Sequence, residues 1–112
     1  MSEQENLINN FLLENSVYGA LITNYFGEVV LSINIDYNDS IAAMSSSILS
    51  MLDKFLEDLE KDSLKQMIVK TNDATIIFAK INESKVLVVF GKSGINLGMF
   101  LHQTELLAKK LN

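Results

Sequence analysis

The chain of 112 residues contains no cysteine, no proline and no arginine, and only one histidine. Without cysteine there can be neither disulfides nor thiolate metal sites, which suits a reducing compartment. The lone histidine, His102, makes no metal site by itself, and no Ser-His-Asp arrangement accompanies it. The nine basic residues are all lysine, set against 14 acidic ones for a net charge of −5. Such a chain is ill suited to gripping phosphate backbones, so no nucleic-acid partner is expected. Nor can it lend an arginine finger to a nucleotide-hydrolysing partner. Long apolar runs are also missing. The longest, Val86 to Phe90, falls far short of a membrane span, and MSEQENLINN lacks the layout of a secretory signal. We therefore expect a cytoplasmic protein without membrane insertion. With neither repeat nor linker, residues 1–112 are expected to form one domain.

Hydrophobic residues make up 48% of the chain, enough for a real core. Leu7, Ile8, Phe11 and Leu12 recur at helical spacing, predicting a first helix over 3–14. VYGALIT (17–23) and EVVLSI (28–33) read as a hairpin about the turn NYFG, with Gly27 placed for a positive φ. A helix follows from about 41 to 61, capped by Asp39 or Ser40. Its main apolar stripe is Ile41, Met44, Ile48, Leu52, Phe55 and Leu59, which we expect to face the core. LKQMIVKT (64–71), TIIFAKI (75–81) and KVLVVF (85–90) read as three strands, the last central, the first at an edge with only Lys65 and Lys70 to protect it. A closing helix spans about 96–111. The order α-β-β-α-β-β-β-α describes an α+β fold: one five-stranded antiparallel sheet with helices on its faces.

Three features invite a chemical reading. Gly91-Lys92-Ser93 lies between a strand and a helix, as in a phosphate-binding loop, but the first glycine of that motif is replaced by Val86 within the strand. We read Gly91 and Gly94 as turning the chain off the sheet and Gly98 as allowing close helix packing, and expect no cofactor. Glu57, Asp58, Glu60 and Asp62 crowd one helix end. A catalytic pair there needs burial to separate its pKa values, so a solvated face is the simpler reading. Ile95, Met99 and Leu106 form a second apolar patch on the last helix, covered either by the first helix or by a partner; we expect the first helix. No catalytic or metal residues are expected.

The stretch IAAMSSSILSML (41–52) reads as helix yet holds no charge. Its small flank, Ala42, Ala43, Ser46, Ser47 and Ser50, faces either water or a closely approaching second helix. VYGALITNYFGEVVLS, IAAMSSSILSML, the three-strand run and SGINLGMF together resemble the roadblock family of dynein light chains, over about residues 15–111. One departure is Phe26, where the family often carries an acidic residue before Gly27. The resemblance implies a longin- or profilin-like fold without enzymatic activity. It implies dimers, with itself or a homologous roadblock chain, through paired central helices and third strands joined edge to edge. On this sequence those positions are Ala42, Ala43, Ser46, Ser47 and Ser50 on the helix, and Leu64, Gln66, Met67, Ile68 and Val69 on the strand. It further implies a platform for a small Ras-like GTPase, which some bacterial relatives stimulate without an arginine. The alternatives are a motor adaptor that binds peptide segments without a GTPase, and a small-ligand sensor, for which no pocket residues stand out.

Overall fold

The computed structural model describes residues 2–112, so Met1 of the expected domain lies outside the described residues. The elements are α1 (Glu3–Asn15), β1 (Val17–Asn24), β2 (Val29–Ile33), α2 (Asn38–Asp58), β3 (Gln66–Lys70), β4 (Ala74–Lys80), β5 (Lys85–Lys92) and α3 (Leu97–Leu111). The strands form one antiparallel sheet in the order β2-β1-β5-β4-β3. The most apolar strand, β5, is central, and β3 is an edge, as its composition and connections predict.

Local chemistry sets the element ends. Ser2 caps α1 by accepting from the Glu5 N–H at 3.1 Å, in a capping-box sequence. In the β1–β2 turn the Asn24 carboxamide oxygen accepts from the N–H groups of Phe26 and Glu28 (2.9 and 3.0 Å), and Gly27 takes φ +84°. The Asn96 side chain caps α3, accepting from Met99 N–H. Helix α2 departs from expectation. It begins at Asn38 after a Tyr37 cap at φ +57° with no side-chain bond, so Asp39 and Ser40 lie inside the first turn rather than capping it. It ends at Asp58, short of Lys61. There Glu60 adopts φ +59°, its N–H donates to the Glu57 carbonyl, and Lys61 N–H donates to the Leu56 carbonyl. That pair of bonds is a Schellman termination.

Alternation along the strands gives the sheet two apolar faces. Ala20, Ile22, Ile77, Leu87 and Val89 face α1 and α3, where Ile8, Phe11, Phe100 and Leu107 complete the larger core. Leu21, Phe78, Val86 and Val88 face α2. Helix α1 is thus part of the main core, with the Phe11 and Phe100 rings stacked at 6.4 Å. Gly91 remains inside β5 rather than turning off the sheet; a Cβ there would meet the Phe100 ring at 2.9 Å, so glycine is needed for close approach. Gly98 faces open space, with no neighbour nearer than 3.6 Å to an added Cβ, and serves no close packing.

Candidate interaction surface

The face that α2 turns to the sheet is small rather than large. Ala42, Ser45, Ser46 and Leu49 are its buried residues. Gly27 explains why. A Cβ on Gly27 would lie 3.0 Å from Ser46 Oγ and 3.1 Å from Ala43 Cα, so hairpin turn and helix backbone nearly touch. Close approach of this kind favours alanine and serine on the inner side. Ser46 Oγ satisfies itself on the Ala43 carbonyl at 2.9 Å.

Apart from Leu49, the large apolar residues of the helix therefore lie largely outside the core. Met44, Ile48, Met51, Phe55 and Leu59 are all exposed, Met51 by 73% and Phe55 by 58%. This corrects the expectation that Met44, Ile48, Phe55 and Leu59 face the core; of the expected stripe only Ile41 and Leu52 are half-buried. Periodicity located the stripe but could not say which side the sheet would take, because a helix of small residues packs closer to a sheet than one of large residues. The expected contact flank divides accordingly. Ala42 and Ser46 are closed off inside the chain, at 0% and 7% exposure, while Ala43, Ser47 and Ser50 are exposed beside the stripe.

Helix α2 packs over β1 and β2, leaving the far half of that sheet face without a helix. Tyr18, Phe90, Ile76, Met67 and Val69 lie there, all exposed or half-buried, with the Tyr18 and Phe90 rings 6.4 Å apart. The bare stripe and this bare half-face meet on one side of the molecule. Next to them runs the β3 edge, where Ile68 and Val69 are exposed and Leu64, Gln66 and Met67 half-buried. The Gln66 Nε2 is buried with no hydrogen-bond partner.

The rest of the surface carries little that resembles catalytic chemistry. Among the described residues no group of three or more His, Cys, Asp or Glu could hold a metal ion. The Gly91–Gly94 segment is strand and turn, with Ser93 N–H donating to the Asp73 carbonyl. Glu57, Asp58, Glu60 and Asp62 are exposed, Asp58 bound to Lys54 at 2.8 Å. His102 is exposed too. Helix α1 reaches α3 but leaves Met99 and Leu106 exposed, Leu106 at a crevice of about 160 Å³ between the two helices, so the expected cover is incomplete. Burial, then Asp53 and Glu83, push the Tyr25 pKa above its ordinary value of 10.0. No helix among the described residues is long and apolar enough to cross a membrane.

The Roadblock/LC7 domain model matches residues 3–90. Comparison with curated protein sequences found no significant match. Among solved structures the chain is similar to MglB of Myxococcus xanthus, with a TM-score of 0.92 at 12% identity, covering 99% of this chain and 93% of that one. It is similar to a Roadblock/LC7 domain of Streptomyces avermitilis (0.88, 15% identity, 98% and 95% covered). It is also similar to the gliding protein MglB of Thermus thermophilus (0.86, 12% identity, 95% and 83% covered). At such identities the likeness shows the fold alone.

Proposed function

Since this chain belongs to the Roadblock/LC7 domain family, we propose that residues 1–112 form one non-catalytic, cytoplasmic interaction module. It pairs with a second copy or a homologous roadblock chain, and the pair regulates or scaffolds a small Ras-like GTPase. The observation that carries the self-association is the bare stripe Met44, Ile48, Met51, Phe55 and Leu59, continuous with the bare half of the sheet. Soluble proteins seldom leave so many large apolar side chains together in water. Covering the exposed part of each contributes on the order of 1 kcal/mol. Over two copies that is comparable to an association cost of about 4–15 kcal/mol. A two-fold contact would use the stripe on both chains.

The GTPase reading draws on the family resemblance and on the likeness to the gliding protein MglB. Any effect on hydrolysis would come from positioning the partner's own groups, since this chain has no arginine to insert. The test has two stages. Light scattering on the purified chain should give twice the monomer mass. The purified pair should then bind a small Ras-like GTPase from the same cytosol in a nucleotide-dependent way. A pair that ignores every such GTPase and binds a peptide segment of a larger protein would favour the motor-adaptor reading instead.

A further inference from the structure

The helices over the larger core do not cover the sheet evenly. Helix α1 packs on β1 and α3 on β4, so the edge strand β3 lies beyond both. Between the last turns of α3 and the start of β3 is a cleft of about 440 Å³. That volume falls in the range of small-molecule sites. Three stretches far apart in the chain build it: 63–66 entering β3, 79–83 leaving β4, and Glu105, Ala108, Lys109 and Asn112 at the end of the chain. Such a site has no signature in the sequence. Asn82 Nδ2 donates to Asn112 Oδ1 at 3.3 Å, tying the turn after β4 to the end of α3. The cleft lies beside α3, across the sheet from the bare stripe of α2, and stands apart from the surface proposed for pairing.

Gln66 carries the chemistry. It stands opposite Ala79 in the β3–β4 register, and Ala79 belongs to the core under α1 and α3. Directly opposed residues share a face, so the Gln66 side chain is on the cleft side. Its Nε2 is shut off from solvent yet donates to nothing in the chain. Native proteins rarely leave a buried amide donor in that state without an acceptor to come. The core residues Ala79, Ile81 and Ala108 line the same cleft and give it an apolar floor. Its charged side chains are three lysines and two glutamates, in a chain of net charge −5. Both glutamates are engaged, Glu83 by Lys80 at 3.1 Å and Glu105 by Lys109 at 3.6 Å. Lys65, exposed at the rim, forms no ion pair among the described residues. The negative pole at the end of α3 is offset by Lys109 and Lys110 in its last turn.

We propose that this cleft binds a small aliphatic carboxylate. A carboxylate oxygen accepts from Gln66 Nε2, Lys65 at the rim supplies the opposite charge, and the alkyl part lies on Ala79, Ile81 and Ala108. A water molecule could satisfy the amide alone, but it makes no use of the apolar floor or the lysine. Inorganic phosphate would use the charge and leave the floor bare, and the chain has no arginine to grip it. Only a ligand with both an anionic oxygen and an alkyl body engages amide, lysine and floor together. The inference goes beyond the reading as an interaction module and does not depend on it, since every group named belongs to one copy of the chain.

The Gln66 side-chain amide has its own signal in nitrogen–proton correlation NMR, and that signal provides the test. Butyrate is titrated into the labelled full chain at neutral pH, against sodium chloride at equal ionic strength. It should shift the Gln66 side-chain signal and the backbone signals of Ala79, Ile81 and Ala108 saturably, with a dissociation constant on the order of 1 mM. Inorganic phosphate, which lacks the alkyl body, and butyramide, which lacks the charge, should each bind about tenfold more weakly or worse. Gln66→Met should weaken butyrate binding about tenfold or more. Lys65→Gln should weaken it about two- to fivefold. Because Gln66→Met deletes a donor that has no acceptor, the unliganded variant should melt no lower than the parent. Saturating butyrate should then raise the melting temperature of the parent more than that of the variant. Absence of a saturable shift overturns the proposal, as does unchanged affinity in the folded Gln66→Met protein. An equal response to phosphate overturns the aliphatic assignment, and an equal response to butyramide overturns the anionic one. A Gln66→Met chain that melts below the parent would mean the amide already has its partner within the fold, and the site would fall with it. None of these outcomes turns on the solution mass or on GTPase binding, which test the proposed function separately.

Discussion

Glu60 occupies a position made for glycine. It sits at φ +59° as the residue after the α2 cap, where a Cβ is crowded by the neighbouring backbone. Its side chain is exposed, so removing it empties no core. We expect Glu60→Gly to raise stability by about 0.5–1 kcal/mol in urea titrations despite glycine's looser unfolded chain. A loss of stability would mean that Glu60 has a stabilising role the φ angle does not capture. Tyr25 gives the one pH-dependent expectation. Its folded pKa is raised by burial first, then by the carboxylates of Asp53 and Glu83. Below its ordinary value of 10.0 the phenol is neutral whether the chain is folded or not, and its contribution is fully present. As pH climbs past that value the unfolded chain ionises first, so stability falls until the folded pKa is passed. Tyr25→Phe should lessen the fall of unfolding free energy as pH rises past the ordinary phenol value of 10.0, relative to the unmodified chain. An unchanged slope would show that the phenol feels no such environment.

At the scale of elements, α2 separates two kinds of small residue. Ser46 lies under the hairpin turn, whereas Ser50, one turn on, is exposed. An arginine at 46 must either bury an unpaired charge or lift the helix from Gly27, so Ser46→Arg should cost about 3 kcal/mol or more, or prevent folding. Ser50→Arg should stay within about 0.5 kcal/mol of the parent by the same chemical denaturation. Equal effects would contradict the packing described for α2. The same helix shows where sequence reading stopped. The strands, the Asn24–Gly27 turn, the central place of β5 and the edge place of β3 were all legible, because period-2 apolar runs and turn residues act locally. Helix α1 was legible as an element and as a cover for the last helix, but the stacking of Phe11 on Phe100 was not, because that contact spans most of the chain. Orientation of α2 was hidden. Its pattern holds a large apolar sector and a small uncharged one, and the choice between them depends on how near Gly27 lets the helix come. As a result Ala42 and Ser46, which the chain closes off, were counted among the accessible residues of the candidate surface.

For the whole molecule, the question is what covers the bare side of α2. Each copy carries a net charge of −5, so two copies repel at long range and apolar contact must overcome that repulsion. Added salt screens the repulsion and should tighten association, the reverse of an assembly held by ion pairs. Linkage adds a second signature. If folded chains associate and unfolded ones do not, the melting temperature must rise with protein concentration. Met51 is the position at which to interrupt this. It is the most exposed residue of the stripe, so a lysine there is solvated in the lone chain and leaves its fold intact. In the pair the same lysine, present twice, must be desolvated without a counter-charge. Met51→Lys should therefore halve the solution mass and abolish the concentration dependence of melting, while the melting temperature extrapolated to low concentration stays that of the parent. Met51→Leu, which keeps the apolar character, should leave all three unchanged. A Met51→Lys protein that still has dimer mass and still melts higher when concentrated would place the contact elsewhere and leave the bare stripe for a different partner.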